Sequence, residues 1–490
     1  MTSWLWSATD AAAATGGSVR GDWTGVSGIS IDTRERAAGD LFVALAGDNR
    51  DGHRFVAGAL SAGAGAAMVS KVPEDVGVDA PLLVVDDTLA GLAALGTASR
   101  ARSAARVIGV TGSVGKTSTK DMLRVMLSAQ GPTHAAVRSF NNHWGVPLTL
   151  ARMPQNTEFA VIEIGMNHPG EITPLSRMAR PHVALITTVE AVHLAAFSSI
   201  EEIADAKAEI FAGLERDGAA ILNVDNAHFG RLAAAATAQS DGSAEIVPFG
   251  RGGVDWRLED VRIGEAATCI RAKLDGRDAL VKLGAPGAHF AMNALGALAA
   301  VESVGADVGR AAVSLAGWAP PSGRGSRTTI GLGQGGERGA LTLLDESYNA
   351  NPASLSAALD VLAAATPGPT QAGRSGRRIA ILGDMLELGK EEEMLHAALA
   401  DHYSVRKIDT VHSCGALMKV LHDALPADKC GVHCADSQQL AAQVVKLVDA
   451  GDVVMVKGSL GAAMKHVVAA LKTLGSATPG DQPERSDGDA

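Results

Sequence analysis

The run GVTGSVGKTSTKDML, Gly109 to Leu123, sets a lysine and a series of hydroxyl residues directly after a glycine-broken turn. Arg106, Val107 and Ile108 open a short apolar run before it. Met122, Leu123, Met126 and Leu127 recur at helical spacing after it, so the chain reads strand, loop, helix. This succession constrains the fold, because a strand that delivers a glycine loop to a helix N-terminus aims several backbone N–H groups at one spot, as an oxyanion requires. Gly112 and Gly115 let the backbone come close, Lys116 adds a mobile positive charge, and Thr117 stands where a hydroxyl can ligate Mg²⁺. Five residues before Gly115 stands Val110, where the general phosphate-loop pattern has glycine, so the chain carries the shorter form Gly-x-x-Gly-Lys-Thr. A glycine-rich turn with an incidental lysine is the competing reading, and the strand, lysine and hydroxyls together weigh against it.

The chain has 490 residues, too many for one core, and its length suggests about three domains. Strand-like runs alternate with helical ones throughout, which predicts an α/β fold: a small α/β N-terminal domain over 1–104, a central parallel-sheet mononucleotide-binding domain over 105–320, and a C-terminal Rossmann-like domain over 321–475. GISID, DLFVAL, AAMVS and PLLVVDD are strands of the first, with FVAGALSAGAG a helix between them. FAVIEIGM, HVALITTV and GAAILNVD belong to the second, and a patch from Val247 to about Leu283 reads as β-hairpins inserted into it or attached to it. The stretch GWAPPSGRGS, Gly317 to Ser326, has the composition of an interdomain linker. Beyond it ALTLLDESYNANP, RRIAILGDM, DTVHSCG and DVVMVKGS are strands of an open sheet, which places Asp345, Asp384 and Lys457 at or just past strand ends. The tail 476–490 is polar and rich in proline and glycine, the composition of a disordered segment.

A formal charge of −11 without a concentrated basic stripe argues against a nucleic-acid partner, since neutralising a phosphate backbone takes clustered Lys and Arg. The N-terminus has no basic region ahead of a long apolar core, and no segment offers about twenty uninterrupted apolar residues, so the expectation is a cytoplasmic protein without membrane insertion. Cys414, Cys430 and Cys434 lie near His412 and His433, but no second knuckle completes a zinc set, and buried apolar thiols are the better reading.

A second constellation lies in AVHLAAFSSIEEIADAKAEIFAGL. Ser199 followed by Glu202 forms a capping box, so a helix starts near Ile200 and sets Ile200, Ile203, Lys207, Ile210, Phe211 and Leu214 on one face. Lys207 thus falls in an apolar stripe, where an ammonium must be paired, snorkel to water or lose its charge. Snorkelling is the ordinary outcome. The alternative is a neutral amine that reacts with CO₂ to give a carbamate, whose oxygens bind metal. Glu163, at the end of a strand, and His193, after another, fall at the carboxyl edge of the same sheet, and with Thr117 and Lys207 they make a two-metal arrangement for phosphoryl transfer.

With these residues in hand the chain resembles the Mur ligases, which add amino acids to the peptidoglycan precursor and carry a loop like the TGSVGKTS found here. IDTRERAAGDLFVAL, FNNHWGVPLTL, EIGMNHPGEI, AKAEIFAGL, LLDESYNANPASLSAAL, LGDMLELG and VKGSLGAAM extend the resemblance from about Ser30 to Met464. The resemblance implies an ATP-dependent ligase acting through an acyl phosphate, with UDP-N-acetylmuramoyl-tripeptide as acceptor and D-alanyl-D-alanine as the incoming amine. It implies that Thr111, Gly112, Ser113, Val114, Gly115, Lys116, Thr117 and Ser118 hold the ATP phosphates, while Asn293, Arg324 and Asp345 contact the nucleotide's base, phosphate and ribose. Thr117, Glu163, His193 and a carbamylated Lys207 would serve two Mg²⁺ sites, with Lys116, Lys207 and His193 the catalytic group. Ser30, Thr33 and Arg34 would face the uridine nucleotide, Asn141 and Asn142 the substrate, and Asn349 and Asn351 the dipeptide, in a monomer. Another Mur ligase or a folylpolyglutamate-type ligase is the alternative. IDTRERAAGDLF speaks against the folate enzyme, and the missing Asp-Asn-Pro-Arg stretch against the diaminopimelate-adding relative.

Overall fold

In the computed structural model the apolar runs pair into three large sheets and a two-stranded ribbon, Trp6–Ser7 with Gly25–Val26. The structure describes residues 4–35, 37–47, 51–192, 194, 196–333 and 336–475. The tail 476–490 and His193 therefore lie outside the described residues.

The first sheet runs in the order Ser18–Arg20, Leu82–Val84, Ala66–Val69, Asp40–Val43, Gly28–Ser30, parallel except for its first pair. From it the helix Thr88–Ala101, capped by the Asp87 side chain on the N–H of Ala90, leads into the centre of the molecule. This helix meets the helix Gly145–Ala151 closely, and glycine at 96 permits it, since a Cβ there would stand 2.9 Å from the carbonyl oxygen of Pro147.

The central sheet has nine strands, in the order Arg277–Leu283, Thr268–Leu274, Trp256–Ile263, Glu245–Gly250, Ala219–Asn223, Val183–Ile186, Arg106–Thr111, Phe159–Glu163, Thr133–Ala135. The patch read as hairpins is attached rather than inserted. Glu245–Gly250 and Trp256–Ile263 continue the parallel pairing, and the next two strands extend the same sheet antiparallel. Arg106–Thr111 lies between Val183–Ile186 and Phe159–Glu163, so chain connections leave it in both directions and open a crevice at its carboxyl end.

The third sheet runs Ser326–Gly331, Ala340–Glu346, Val453–Lys457, Arg378–Gly383, Thr410–Cys414, Cys430–Cys434, antiparallel only in its first pair. Its outermost strands, Ser326–Gly331 and Cys430–Cys434, are not foreseen from the sequence, because edge strands lack the continuous apolar run of buried ones. The three cysteines of this region are free thiols, with Cys414 and Cys434 buried. Burial pushes the Cys414 thiol up to about 12.

Candidate active site

The cleft lies where the carboxyl ends of the central and third sheets face each other, and encloses about 660 Å³. Its floor is the glycine loop. At Gly112 φ is +144° and a Cβ would fall 1.9 Å from Thr187 Oγ1; at Gly115 φ is +86° and a Cβ would meet Asn293 Nδ2 at 2.7 Å. Any side chain at either position would strain the backbone and displace a wall of the cleft. The helix Lys116–Ser128 begins without a side-chain cap, leaving its first N–H groups for a ligand in the cleft. Ser113 fixes the loop from outside, its hydroxyl donating to the Glu190 carbonyl at 3.0 Å and accepting from the Glu190 N–H at 2.9 Å.

Lys116 Nζ donates to the Gly112 carbonyl at 2.7 Å, which curls the side chain back over the loop. Burial pulls its ammonium down to about 8, against the attraction of Glu163 and with added repulsion from Arg324. Glu163 is buried at the end of its strand. One oxygen, Oε1, accepts from Thr117 Oγ1 at 3.0 Å, Ser139 Oγ at 2.6 Å and Asn141 Nδ2 at 2.8 Å. The other, Oε2, is buried without a hydrogen-bond partner, and the Lys120 ammonium stands 3.8 Å from it. Burial alone would raise this carboxyl, but Lys120, then Arg324, Ser139 and Lys116, hold it below the usual carboxylate range. An ionised buried oxygen without a donor, next to a threonine hydroxyl, is a hard-ligand environment that suits Mg²⁺.

Lys207 is buried as the apolar stripe predicts, although Ile200, at the first turn of that stripe, is exposed, and the α-helix gives way after Ala208 to a 3-10 turn, Glu209–Gly213, that carries Ile210 and Phe211. The helix Ile200–Ala208 starts at Ser199, whose hydroxyl accepts from the Glu202 N–H, while the Glu202 carboxylate reaches back to Ser198 rather than to Ser199. Ile203, Ile210 and Phe211 are buried, and the lysine itself is 1% exposed, so snorkelling is not how this side chain resolves its position. Burial, and then repulsion from Lys116, pushes its ammonium far below the ordinary lysine range. No ion pair joins it to a carboxylate among the described residues, and a neutral amine is the form this environment favours.

The opposite wall comes from the third sheet. Arg324 lies over the Tyr348 ring at 3.9 Å. Lys457 Nζ donates to the Asn349 carbonyl at 3.0 Å and stands 3.4 Å from Glu346 Oε2; burial raises the Glu346 carboxyl and lowers the Lys457 ammonium. Asn351 caps the helix Pro352–Ala364, its side chain accepting from the Ser354 N–H at 2.8 Å while Ser354 Oγ accepts from the Asn351 N–H at 3.0 Å. His289, against the Phe290 ring, is held down to about 4 by burial and then by Lys457.

The cleft thus gathers residues 113–118 with Asn141, Asn142, Glu163, Asn293, Arg324, Asn349 and Asn351. Thr111 and Gly112 lie beneath the loop. Asp345 is buried and is not part of the lining; its Oδ1 accepts from the Ser347 N–H and hydroxyl, and the neighbouring Glu346 reaches the cleft instead. Asp384 turns away to the Met418 N–H at 2.7 Å. Ser30, Thr33 and Arg34 stand outside this cleft, Ser30 bonded to the Asp32 carbonyl and Arg34 paired with Asp32. Ser139, Thr187, Glu190, His289 and Glu346 line the cleft without having been read from the sequence.

The chain matches three family descriptions in succession: Mur ligase family, catalytic domain, over residues 25–100; Mur ligase middle domain over 110–301; and Mur ligase, glutamate ligase domain, over 334–460. It is 36% identical over 452 residues to the UDP-N-acetylmuramoyl-tripeptide--D-alanyl-D-alanine ligase of Escherichia coli (strain K12), covering 91% of this chain and 94% of that one. Its identity to the ligase of the same name from Bacillus subtilis (strain 168) is 34%, covering 91% and 93%. A crystal structure of MurF from Acinetobacter baumannii superposes with a TM-score of 0.79 at 28% identity, over 96% of this chain and 99% of that one. With the glycine loop, the buried glutamate and the two facing sheets already in place, these likenesses settle that the chain belongs to the Mur ligase family.

Proposed function

We infer that this chain joins D-alanyl-D-alanine to UDP-N-acetylmuramoyl-tripeptide, with ATP converted to ADP and phosphate, in the cytoplasmic synthesis of the peptidoglycan precursor. The observation that carries this reading is the extent of likeness to ligases of that name, 36% and 34% identical over more than nine-tenths of the chain, around a cleft with the parts such a reaction needs. The three-domain division at 104 and 320 is part of the reading, as is the assignment of Ser30, Thr33 and Arg34 to the uridine nucleotide.

Mur ligases use ATP with Mg²⁺. Thr117 and Glu163 would hold the cation at the phosphates, and when bound it supplies charge neutralisation to the transferring phosphoryl group. His193 would add to a second site. The N–H groups at the start of the helix Lys116–Ser128 receive the phosphates, and Lys116 compensates charge that develops as the γ-phosphoryl passes to the tripeptide carboxylate. Arg324 approaches from the far wall and excludes water that would hydrolyse the acyl phosphate. The free amine then attacks the acyl carbon and phosphate leaves. Lys207, neutral in its apolar stripe, is the form of lysine that reacts with CO₂, and as a carbamate it would exchange a repelled ammonium for an anion that attracts a cation.

The test is product mass after incubation with ATP, UDP-tripeptide and D-Ala-D-Ala, D-Ala, L-Lys, D-Glu or diaminopimelate. The dipeptide product is expected; faster phosphate release with D-Glu or diaminopimelate, confirmed by mass, moves the chain to another step. For the carbamate, Lys207→Ala is expected to be nearly inactive and partly rescued by small carboxylates. Full activity of that variant without CO₂ removes the carbamate from the mechanism.

A further inference from the structure

The cleft wall mixes polar and apolar groups, and two leucines on it stand well exposed, outside the core clusters. Leu386 is 39% exposed and Leu460 is 66% exposed, and both line the cleft. They come from different loops at the carboxyl edge of the third sheet, one following Arg378–Gly383 and the other Val453–Lys457. A single exposed leucine needs no explanation. Here two line one cleft, on loops that meet. Gly461, the residue after Leu460, is covered by Leu386, whose Cδ1 would stand 2.7 Å from a Cβ built there. Ser459 ties the loops together: its hydroxyl accepts from the Leu386 N–H at 2.9 Å and donates to the Ala350 carbonyl at 3.1 Å, and its N–H donates to the Asp384 carbonyl at 3.0 Å. Asp384 in turn holds the Met418 N–H. The apolar pair is therefore mounted on a hydrogen-bonded frame, which fixes it without using it for folding.

We propose that Leu386 and Leu460 form the specificity lip that receives the side-chain methyl groups of the incoming amine. The inference rests on the reading of the cleft given above and adds to it the residues that choose the amine. The glycine loop, Asn293 and Arg324 make the nucleotide side of the cleft, and the first sheet is read as the seat of the uridine nucleotide, so the loops after the third sheet's strands are left for the incoming amine. A dipeptide of alanine presents polar groups along its backbone and only two methyl groups as side chains. Asn349, the Lys457 ammonium and the helix start at Asn351 offer polar partners for the former. The leucine pair is the surface with the chemistry to bury the latter, and it carries no charge that a longer acidic or basic amine could use.

A missing methyl in an apolar site lowers kcat/KM by roughly tenfold. The experiment compares D-Ala-D-Ala with glycylglycine at saturating ATP and UDP-tripeptide. The unaltered enzyme is expected to favour D-Ala-D-Ala, by up to about a hundredfold if both methyl groups are buried. In Leu460→Ser the preference should fall by about tenfold, through a higher KM for D-Ala-D-Ala with kcat and the KM for ATP little changed. Leu460 is mostly exposed, so its replacement does not endanger folding; Leu386→Ser, checked by its melting temperature, is the second variant. An unchanged preference in both variants overturns the proposal while leaving the reading of function intact. Failure of the unaltered enzyme to ligate either dipeptide refutes that reading, and the lip with it.

Discussion

The two joints of this molecule are built differently. Where the first sheet meets the centre, the junction is continuous core: Trp6, Leu92 and Leu95 share one apolar cluster with Leu148 and Ala151. Buried side chains also cross it to satisfy backbone. The Trp6 indole donates to the Ala151 carbonyl at 2.9 Å, Ser99 Oγ to Met153 at 3.1 Å, and Arg100 to the carbonyls of Ala179 and Arg180 at 2.8 and 3.0 Å. Where the third sheet meets the centre, the cores stay separate. The central clusters end at Trp318, and the third region's clusters begin at Ile330. What spans that gap is local: Arg327 paired with the exposed Glu265 at 3.2 Å, the Phe290 ring against Gly325, and the residues facing each other across the cleft. Opening the first joint would split a core, whereas opening the second would not. A ligase that must admit three reactants and then exclude water needs the second kind of joint at its reacting centre and the first behind it.

The largest expected effect tests whether the loop on the welded side serves chemistry rather than structure. Lys116→Ala should lower kcat by a hundredfold or more, on the order of 3 kcal/mol of barrier, because its charge acts on the transferring phosphoryl group. The melting temperature should not fall, since the substitution removes a desolvated cation along with its bond to Gly112. Turnover near that of the unaltered enzyme in a folded variant would remove Lys116 from the reaction.

The joints themselves can be compared by cutting one side chain in each. Arg100→Ala strips donors from the buried carbonyls of Ala179 and Ser103 and from the part-buried one of Arg180, and should destabilise by roughly 3 kcal/mol, seen as a lower urea midpoint. Arg327→Ala removes a partly exposed pair and should change stability by under about 1 kcal/mol. Equal effects from the two would dissolve the distinction between weld and clasp.

The same distinction governs what could be read from the sequence. The welded half was legible because its signals are local: glycines at the two positions where a Cβ would collide, a capping serine ahead of an apolar stripe, and a lysine placed in that stripe by helical period alone. Glu163 was legible as a strand end, but its partners Ser139 and Asn141 come from a loop with no periodic signal. The clasped half was legible only in outline. Asp345 and Glu346 are adjacent on one strand, whose side chains alternate between faces, so a shift of a single residue decides which carboxylate enters the cleft. His289, Leu386 and Leu460 join the site only because distant segments meet, and nothing near them in the chain announces it.

Acid should loosen the molecule in a defined window. His289 is held down to about 4 by burial and by Lys457, and His182, which accepts from the Val107 N–H at 3.0 Å, is held at about 4 by burial and by Arg106. Both stay neutral in the folded state while the unfolded chain takes up protons near 6.5. Their contribution is therefore fully present above about 6.5 and is lost as pH falls toward 4, by on the order of a few kcal/mol. Urea midpoints measured from pH 7 to pH 4 should fall across that interval, and His289→Asn should flatten part of the fall. Midpoints independent of pH there would mean that neither ring is buried as a neutral base.

The smallest expected effect reads the cleft directly, because it couples a residue of one half to the titration of the other. Burial pulls the Lys116 ammonium down to about 8, and Arg324, across the clasp, adds repulsion that pushes it the same way. If the ammonium is the form that receives ATP, kcat/KM for ATP should be level below that value and fall about tenfold per pH unit above it, since this ratio reports groups of the free enzyme. Arg324→Ala should then do two separable things. It should raise KM for ATP by removing a cation from the cleft, and it should shift the alkaline limb upward by a fraction of a pH unit, as Lys116 is relieved of a like charge. Arg327→Ala, which loosens the same joint without facing the loop, should leave the limb where it is. A limb that moves equally in both variants would mean that opening of the clasp, and not the Arg324 charge, sets the proton affinity of Lys116. A limb that moves in neither would mean that in solution the two walls stand too far apart for Arg324 to be felt at the loop.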